Sequence, residues 1–153
     1  MTDLDDGTRG ALREALDDEY KARATYRAVI ARFGAVRPFS RIVESEERHI
    51  AALAWLFDRH GVPMPPDRWA GAVEPPATIG EACRAGVQAE IDNAALYDRL
   101  MTLAGHAPED VRRVFTNLRD ASQERHLPAF RRCAAAGERP AGHGRCRARA
   151  RAG

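Results

Sequence analysis

Apolar residues recur along this chain in steps of three and four, and four stretches carry that helical period with no convincing strand pattern between them. The first runs from about Thr8 to Phe33. Leu12, Leu16, Glu19, Arg23, Tyr26, Ile30 and Phe33 form one bundle-facing stripe, and Gly34 stands where a helix C-cap favours glycine. The second opens at Pro38, whose fixed φ suits a first helical turn, and its stripe passes through Phe39, Ile42, Glu46, His49, Leu53 and Leu56 to a stop at Gly61. A Thr78-Ile-Gly-Glu81 capping pattern announces the third, with Ile79, Cys83, Gly86, Glu90, Asn93, Tyr97 and Leu100 on one face. The fourth begins at Pro108-Glu-Asp, acidic where the helix dipole favours it, and continues through Val111, Phe115, Leu118, Ser122, His126 and Phe130 to Gly137. Pro128 lies within it. A proline there removes a backbone donor and crowds the preceding turn, so a bend near Glu124 is expected.

The connections choose the topology. Links of about four residues join helices one to two and three to four, so each pair is expected to be an antiparallel hairpin. Between them lies GVPMPPDRWAGAVEPPAT, which fully extended spans up to ~55 Å, more than the ~33 Å length of a 22-residue helix. It is long enough to cross the bundle and leave helix three parallel to helix two. Its prolines favour an ordered strap over a flexible linker.

With 44% apolar and 30% charged residues, the chain falls in the range of ordinary globular domains, and residues 1–136 are expected to form one. From Gly137 the periodicity is lost, and residues 137–153 read as a disordered Arg-rich tail. That tail holds five arginines against one glutamate, which leaves the body slightly acidic under a net charge of +2 and makes nucleic-acid binding by the body unexpected. No apolar run reaches the roughly 20 residues of a membrane span, and the acidic N-terminus does not resemble a signal peptide, so the expected location is the cytoplasm. Cys83, Cys133 and Cys146 are too few and scattered for a disulfide framework.

The residues that carry chemistry are those that break the apolar stripes. Glu19, Glu46, His49, Glu90 and His126 occupy core-facing positions on four helices, where an isolated carboxylate must be paired, protonated or bound to a metal. At ~1.5 Å of rise per residue, with the topology above, all five fall within a slab ~10 Å thick. Glu46-x-x-His49 places a carboxylate and an imidazole on one helix face, one turn apart. Two such pairs plus a single glutamate from each remaining helix make the di-iron carboxylate site of helical bundles, and oxygen with imidazole suits iron, manganese or zinc.

With these residues in place, the chain resembles the ferritin-like superfamily, which includes rubrerythrins and bacterioferritins, and in particular a bacterial branch whose first helix reads like DEYKARATY. The resemblance covers residues 8–136. It implies an all-α, ferritin-like up-down four-helix bundle. It also implies an iron site of one or two ions held by Glu19, Glu46, His49, Glu90 and His126, and reaction with oxygen or peroxide as an oxidoreductase or ferroxidase. The fourth helix departs from the family pattern: three residues before His126 stands Gln123, where a metal-bridging glutamate is expected. Gln123 brings a carbonyl ligand but no charge, which puts the second ion in question.

Metal-free readings stand beside this one. Arg23, one turn after Glu19, and Arg125, next to His126, offer buried ion pairing that would leave a helical scaffold or interaction protein. The Arg-rich tail offers a nucleic-acid contact. Tyr26 and Tyr97 lie on the ligand-bearing faces but read first as core. Cys83 and Cys133 share the index sum of Glu90 and His126 and should be level across the hairpin, as small buried hydrophobes before a redox dithiol. Nothing in the sequence marks an assembly interface, so a monomer or a homodimer fits equally.

Overall fold

A computed structural model describes residues 3–137. Helix α1 spans Asp6–Phe33, α2 Phe39–Arg59, α3 Ile79–Leu103, α4 Glu109–Ala121 and α5 Leu127–Gly137. A π-helical turn, Ser122–His126, joins α4 and α5 into one rod, so four rods form an all-α bundle with no strand among the described residues. The expected tail beyond Gly137 lies outside the described residues, and Gly137 itself ends α5. No described helix is long and apolar enough to cross a membrane.

Local chemistry accounts for the helix ends. Asp5 accepts from the Thr8 N–H at 2.6 Å, which starts α1 at Asp6, two residues before the expected start at Thr8. Gly34 takes a φ of 88° and returns its N–H to the Ile30 carbonyl at 2.8 Å. Thr78 Oγ1 accepts from the Glu81 N–H at 3.1 Å, and the Glu81 carboxylate reaches back to the Ala77 N–H. Where a bend was expected, Pro128 follows the wider π turn, in which the Leu127 N–H bonds back to the Ser122 carbonyl. That turn accommodates the missing donor without breaking the rod.

The rods pair α1 with α2, α3 with α4 and α5, α1 with α3, and α2 with α4. Tyr26 meets Glu90 and Glu19 meets Tyr97, so α1 and α3 run in opposite directions. Cys83 meets Cys133 and Asp98 meets Arg119, so α3 and the fourth rod do too. The connection between α2 and α3 is fastened along α1. Arg68 grips Asp17 through two hydrogen bonds of 2.7 and 2.8 Å, Trp69 Nε1 reaches the same carboxylate, and Asp67 receives Arg23 at 2.9 Å.

Two apolar clusters fill the interior. One gathers Leu12, Leu16, Leu53, Leu56, Leu100, Phe115 and their neighbours. The other gathers Tyr26, Val29, Phe39, Ile42, Cys83 and Phe130. The polar residues that interrupt the stripes lie between them. Cys83 and Cys133 are corrected from separate buried thiols to a disulfide. The antiparallel register brings their Cα atoms to 5.6 Å, within the range a bridge requires.

In the second cluster Phe130 lies flat against α3 at Gly86, where an added Cβ would fall 2.6 Å from the ring. Gly86→Ala should therefore destabilise the fold by about 1–3 kcal/mol. Gly10→Ala, in an open stretch of α1 with nothing within 4 Å, should stabilise it by about 0.5–1 kcal/mol. Urea unfolding followed by circular dichroism measures both, and opposite signs are expected.

Candidate metal centre

The five stripe-breaking residues converge. Glu19 comes from the middle of α1, Glu46 and His49 from one face of α2, Glu90 from α3, and His126 from the last position of the π turn. All are buried, none more than 6% exposed. Their donor atoms form two groups, Glu19–Glu46–His49 and Glu46–Glu90–His126, each with all ligand atoms within 4.8 Å of one another. Glu46 belongs to both. His49 Nδ1 lies 2.9 Å from Glu46 Oε2 and 3.4 Å from Glu19 Oε2. His126 Nδ1 lies 3.4 Å from both Glu46 Oε1 and Glu90 Oε2. The two imidazoles stack with centroids 5.4 Å apart. The site is thus two similar halves around a shared carboxylate.

A second layer repeats this pattern. Ser45 Oγ lies 3.0 Å from His126 Nε2 and 3.4 Å from His49 Nε2, so one hydroxyl holds both rings with Nδ1 turned toward the carboxylates. The Tyr97 hydroxyl donates to Glu19 Oε1 and the Tyr26 hydroxyl to Glu90 Oε1, both at 2.6 Å. Read first as core, the two tyrosines are buried and also orient one carboxylate in each half. Asn93 donates to Asp18 at 2.6 Å and accepts from Ser122 beside the π turn. Ser45 and Asp18 were not foreseen. Ser45 adjoins Glu46 and precedes His49 by one helical turn, a spacing that would have singled it out.

Gln123 is corrected. It is exposed, unlike the five buried residues of the centre. In a π turn the residue three positions back no longer shares the face of His126. The residue four back, Ser122, is buried there instead. The proposed arginine partners are also absent from the centre. Arg23 pairs with Glu47 and Asp67, each at 2.9 Å, and Arg125 is exposed. Among the described residues no lysine or arginine pairs with Glu19, Glu46 or Glu90.

Protons therefore balance the charge. Burial and the neighbouring Glu46 charge push Glu19 up to about 7. Burial also raises Glu46, but hydrogen bonds from His126 and His49 outweigh it and hold that carboxyl below its usual value. Burial alone would lower the imidazoles. Glu19 and Glu46 instead raise His49 to about 10, and Glu46 with Glu90 raises His126 to about 9. Asp18 is lifted to about 6 by burial.

The donor set fits a metal on independent grounds. Glu46 Oε2 and His126 Nδ1 are buried with no aligned hydrogen-bond partner, although both face the shared space. Three carboxylates and two imidazoles match iron, manganese or zinc. A small opening of about 70 Å³ between α1 and α3, lined by Asp18, Lys21, Tyr26, Glu90 and Asn93 among others, reaches one half of the site at Glu90.

The raised values fix the sign of the metal-free protein's pH dependence. The imidazole contribution is full below the ordinary histidine value of 6.5 and is lost as pH rises through about 9 to 10. The Glu19 contribution is full below 4.5 and is lost as pH rises through about 7. The melting temperature of chelator-treated protein should fall steadily from pH 5.5 to pH 9.5. Scanning calorimetry checks this, and a rising profile would contradict the protonated centre.

Neither a family model nor a curated protein matches the chain. Among solved structures, the hypothetical protein MJ0754 from Methanococcus jannaschii DSM 2661 superposes with a TM-score of 0.78 at 20% identity. The match covers 90% of this chain and 85% of that one. At that identity the likeness carries the fold alone.

Proposed function

We propose that the protein is a ferritin-like metalloprotein. In this reading it is an up-down bundle of two hairpins joined by one long crossover, and it binds two iron ions, one in each half of the centre. The observation that carries this reading is the pair of three-residue donor groups sharing Glu46, with which no lysine or arginine among the described residues pairs. Glu19 and His49 would hold one ion, Glu90 and His126 the other, and Glu46 would bridge them. Iron bound there would supply redox chemistry toward oxygen or peroxide, making the protein a ferroxidase or a related oxidoreductase.

The chain's own residues prepare the site. Ser45 accepts from both Nε2–H groups, which leaves both Nδ1 atoms as donors toward the ions. Tyr26 and Tyr97 fix the rotamers of Glu90 and Glu19, and their raised pKa values keep both phenols protonated as donors. The apolar clusters on either side exclude bulk water and strengthen every charge interaction between them. Binding must displace the protons on His49 and His126, because an imidazole coordinates through a free lone pair.

Refilling anaerobically with ferrous iron, desalting and measuring metal by mass spectrometry should find about two ions per chain. Glu46→Ala should lose both ions, while Glu19→Ala or Glu90→Ala should retain about one, and each should stay helical. Full metal content in Glu46→Ala would reject the site. No uptake of iron, manganese or zinc by the parent protein would favour a scaffold in which the buried charges pair with one another.

Proton release provides a second check. Titration calorimetry at pH 7 in buffers of different ionisation enthalpy should report about two to three protons released on filling, one from each imidazole and a fraction from Glu19. Affinity should rise with pH up to about 9, the reverse of the metal-free protein's stability profile.

A further inference from the structure

On the face of the bundle where α2 meets the π turn and α5 lies a cavity of about 770 Å³, formed also by the start of α3. Five arginines ring it: Arg37, Arg41, Arg48, Arg125 and Arg132. None of them pairs with a carboxylate among the described residues, and no acidic residue lines the cavity. Arg13, Arg32, Arg84, Arg112 and Arg131 are also without a carboxylate partner among the described residues, so what marks this face is that five such arginines gather around one cavity, whereas Arg23, Arg59, Arg68, Arg99 and Arg119 hold carboxylates. Helix α2 begins at the rim, which adds the partial positive charge of its N-terminus. Between the arginines the lining is apolar, from Ile42, Ile79 and Ala129. The inner wall is Ser45 and His126, the same pair that closes the metal centre on this side.

We propose that this cavity is a binding site for a small organic carboxylate with an apolar body. Concentrated unpaired guanidinium groups call for an anion, and Arg matches a carboxylate through two parallel hydrogen bonds. The apolar lining then favours a hydrocarbon body over a bare ion. A divalent cation is the wrong occupant, because five positive charges would repel it. Residues 138–153 are unsuited as well, since they bring five further arginines against one glutamate. An extended polyanion would use the guanidinium rim but leave the apolar interior uncovered. The site does not depend on the metal centre being filled, but its occupant would lie one imidazole away from the carboxylates.

Titration calorimetry of the full chain with decanoate, at low and moderate salt, tests this. Saturable one-to-one binding is expected, weakening as salt rises, with acetate and decanol each at least about tenfold weaker. Arg41→Gln combined with Arg125→Gln should weaken decanoate by about tenfold or more and flatten the salt dependence. Both residues are exposed, so the fold should survive, and circular dichroism verifies it. Arg99→Gln, on another face, should change nothing. Three results would each overturn the proposal: decanol binding as tightly as decanoate, no saturable binding of decanoate at millimolar concentration, or an affinity indifferent to the double substitution. A single-stranded oligonucleotide that binds more tightly than decanoate, and loses that binding in the double variant, would assign the surface to a polyanion instead and likewise overturn it.

Discussion

Three carboxylates, Glu19, Glu46 and Glu90, are held together in the bundle interior, and no lysine or arginine among the described residues pairs with them. In an apolar interior this arrangement cannot stand unaided, because each uncompensated charge costs several kcal/mol. Much of the surrounding structure answers that requirement. Two imidazoles carry protons in the metal-free state, and two phenols donate short hydrogen bonds. One serine hydroxyl keeps both rings aimed inward. A neutralising cation would do the same work with fewer protons.

The apolar core is divided by this polar layer. Each cluster sends one tyrosine hydroxyl into the layer, Tyr97 from one side and Tyr26 from the other. Each ring thus packs in a core while its tip hydrogen-bonds a carboxylate, a double role that suits an amphipathic aromatic. Packing on the Tyr26 side is close enough that Gly86 leaves no room for a methyl group against Phe130. The Cys83–Cys133 bridge fastens α3 to α5 in the same region. Rotation of the fourth rod is therefore restrained on the side where His126 must be aimed.

Charge is also segregated across the surface. Arg23 of α1 grips Asp67 of the strap, the strap's Arg68 grips Asp17 of α1, and Lys21 and Arg68 cover Trp69. The arginines of the opposite cavity have no such partners. An opening beside Asp18, Lys21 and Glu90 and the arginine-lined cavity at Ser45 and His126 reach the centre from different faces.

Helical periodicity, the caps at Thr78 and Gly34, and the lengths of the connections were legible from residue order alone, because each depends on near neighbours. So were Glu19, Glu46, His49, Glu90 and His126, since a charge on an apolar stripe is visible wherever it occurs. Gln123 was misread because regular helical spacing was assumed through a segment where the π turn ahead of Pro128 changes the register. Arg23 faced Glu19 by spacing, but the strap and α2 offered it Asp67 and Glu47 instead. The disulfide, the bridging role of Ser45 and the tyrosine hydrogen bonds required side chains from different rods to be brought within about 3 Å. Residue order states which groups need partners. Packing of distant segments decides which partners they obtain, because hydrogen bonds and ion pairs act over a few ångströms that only the folded chain can close.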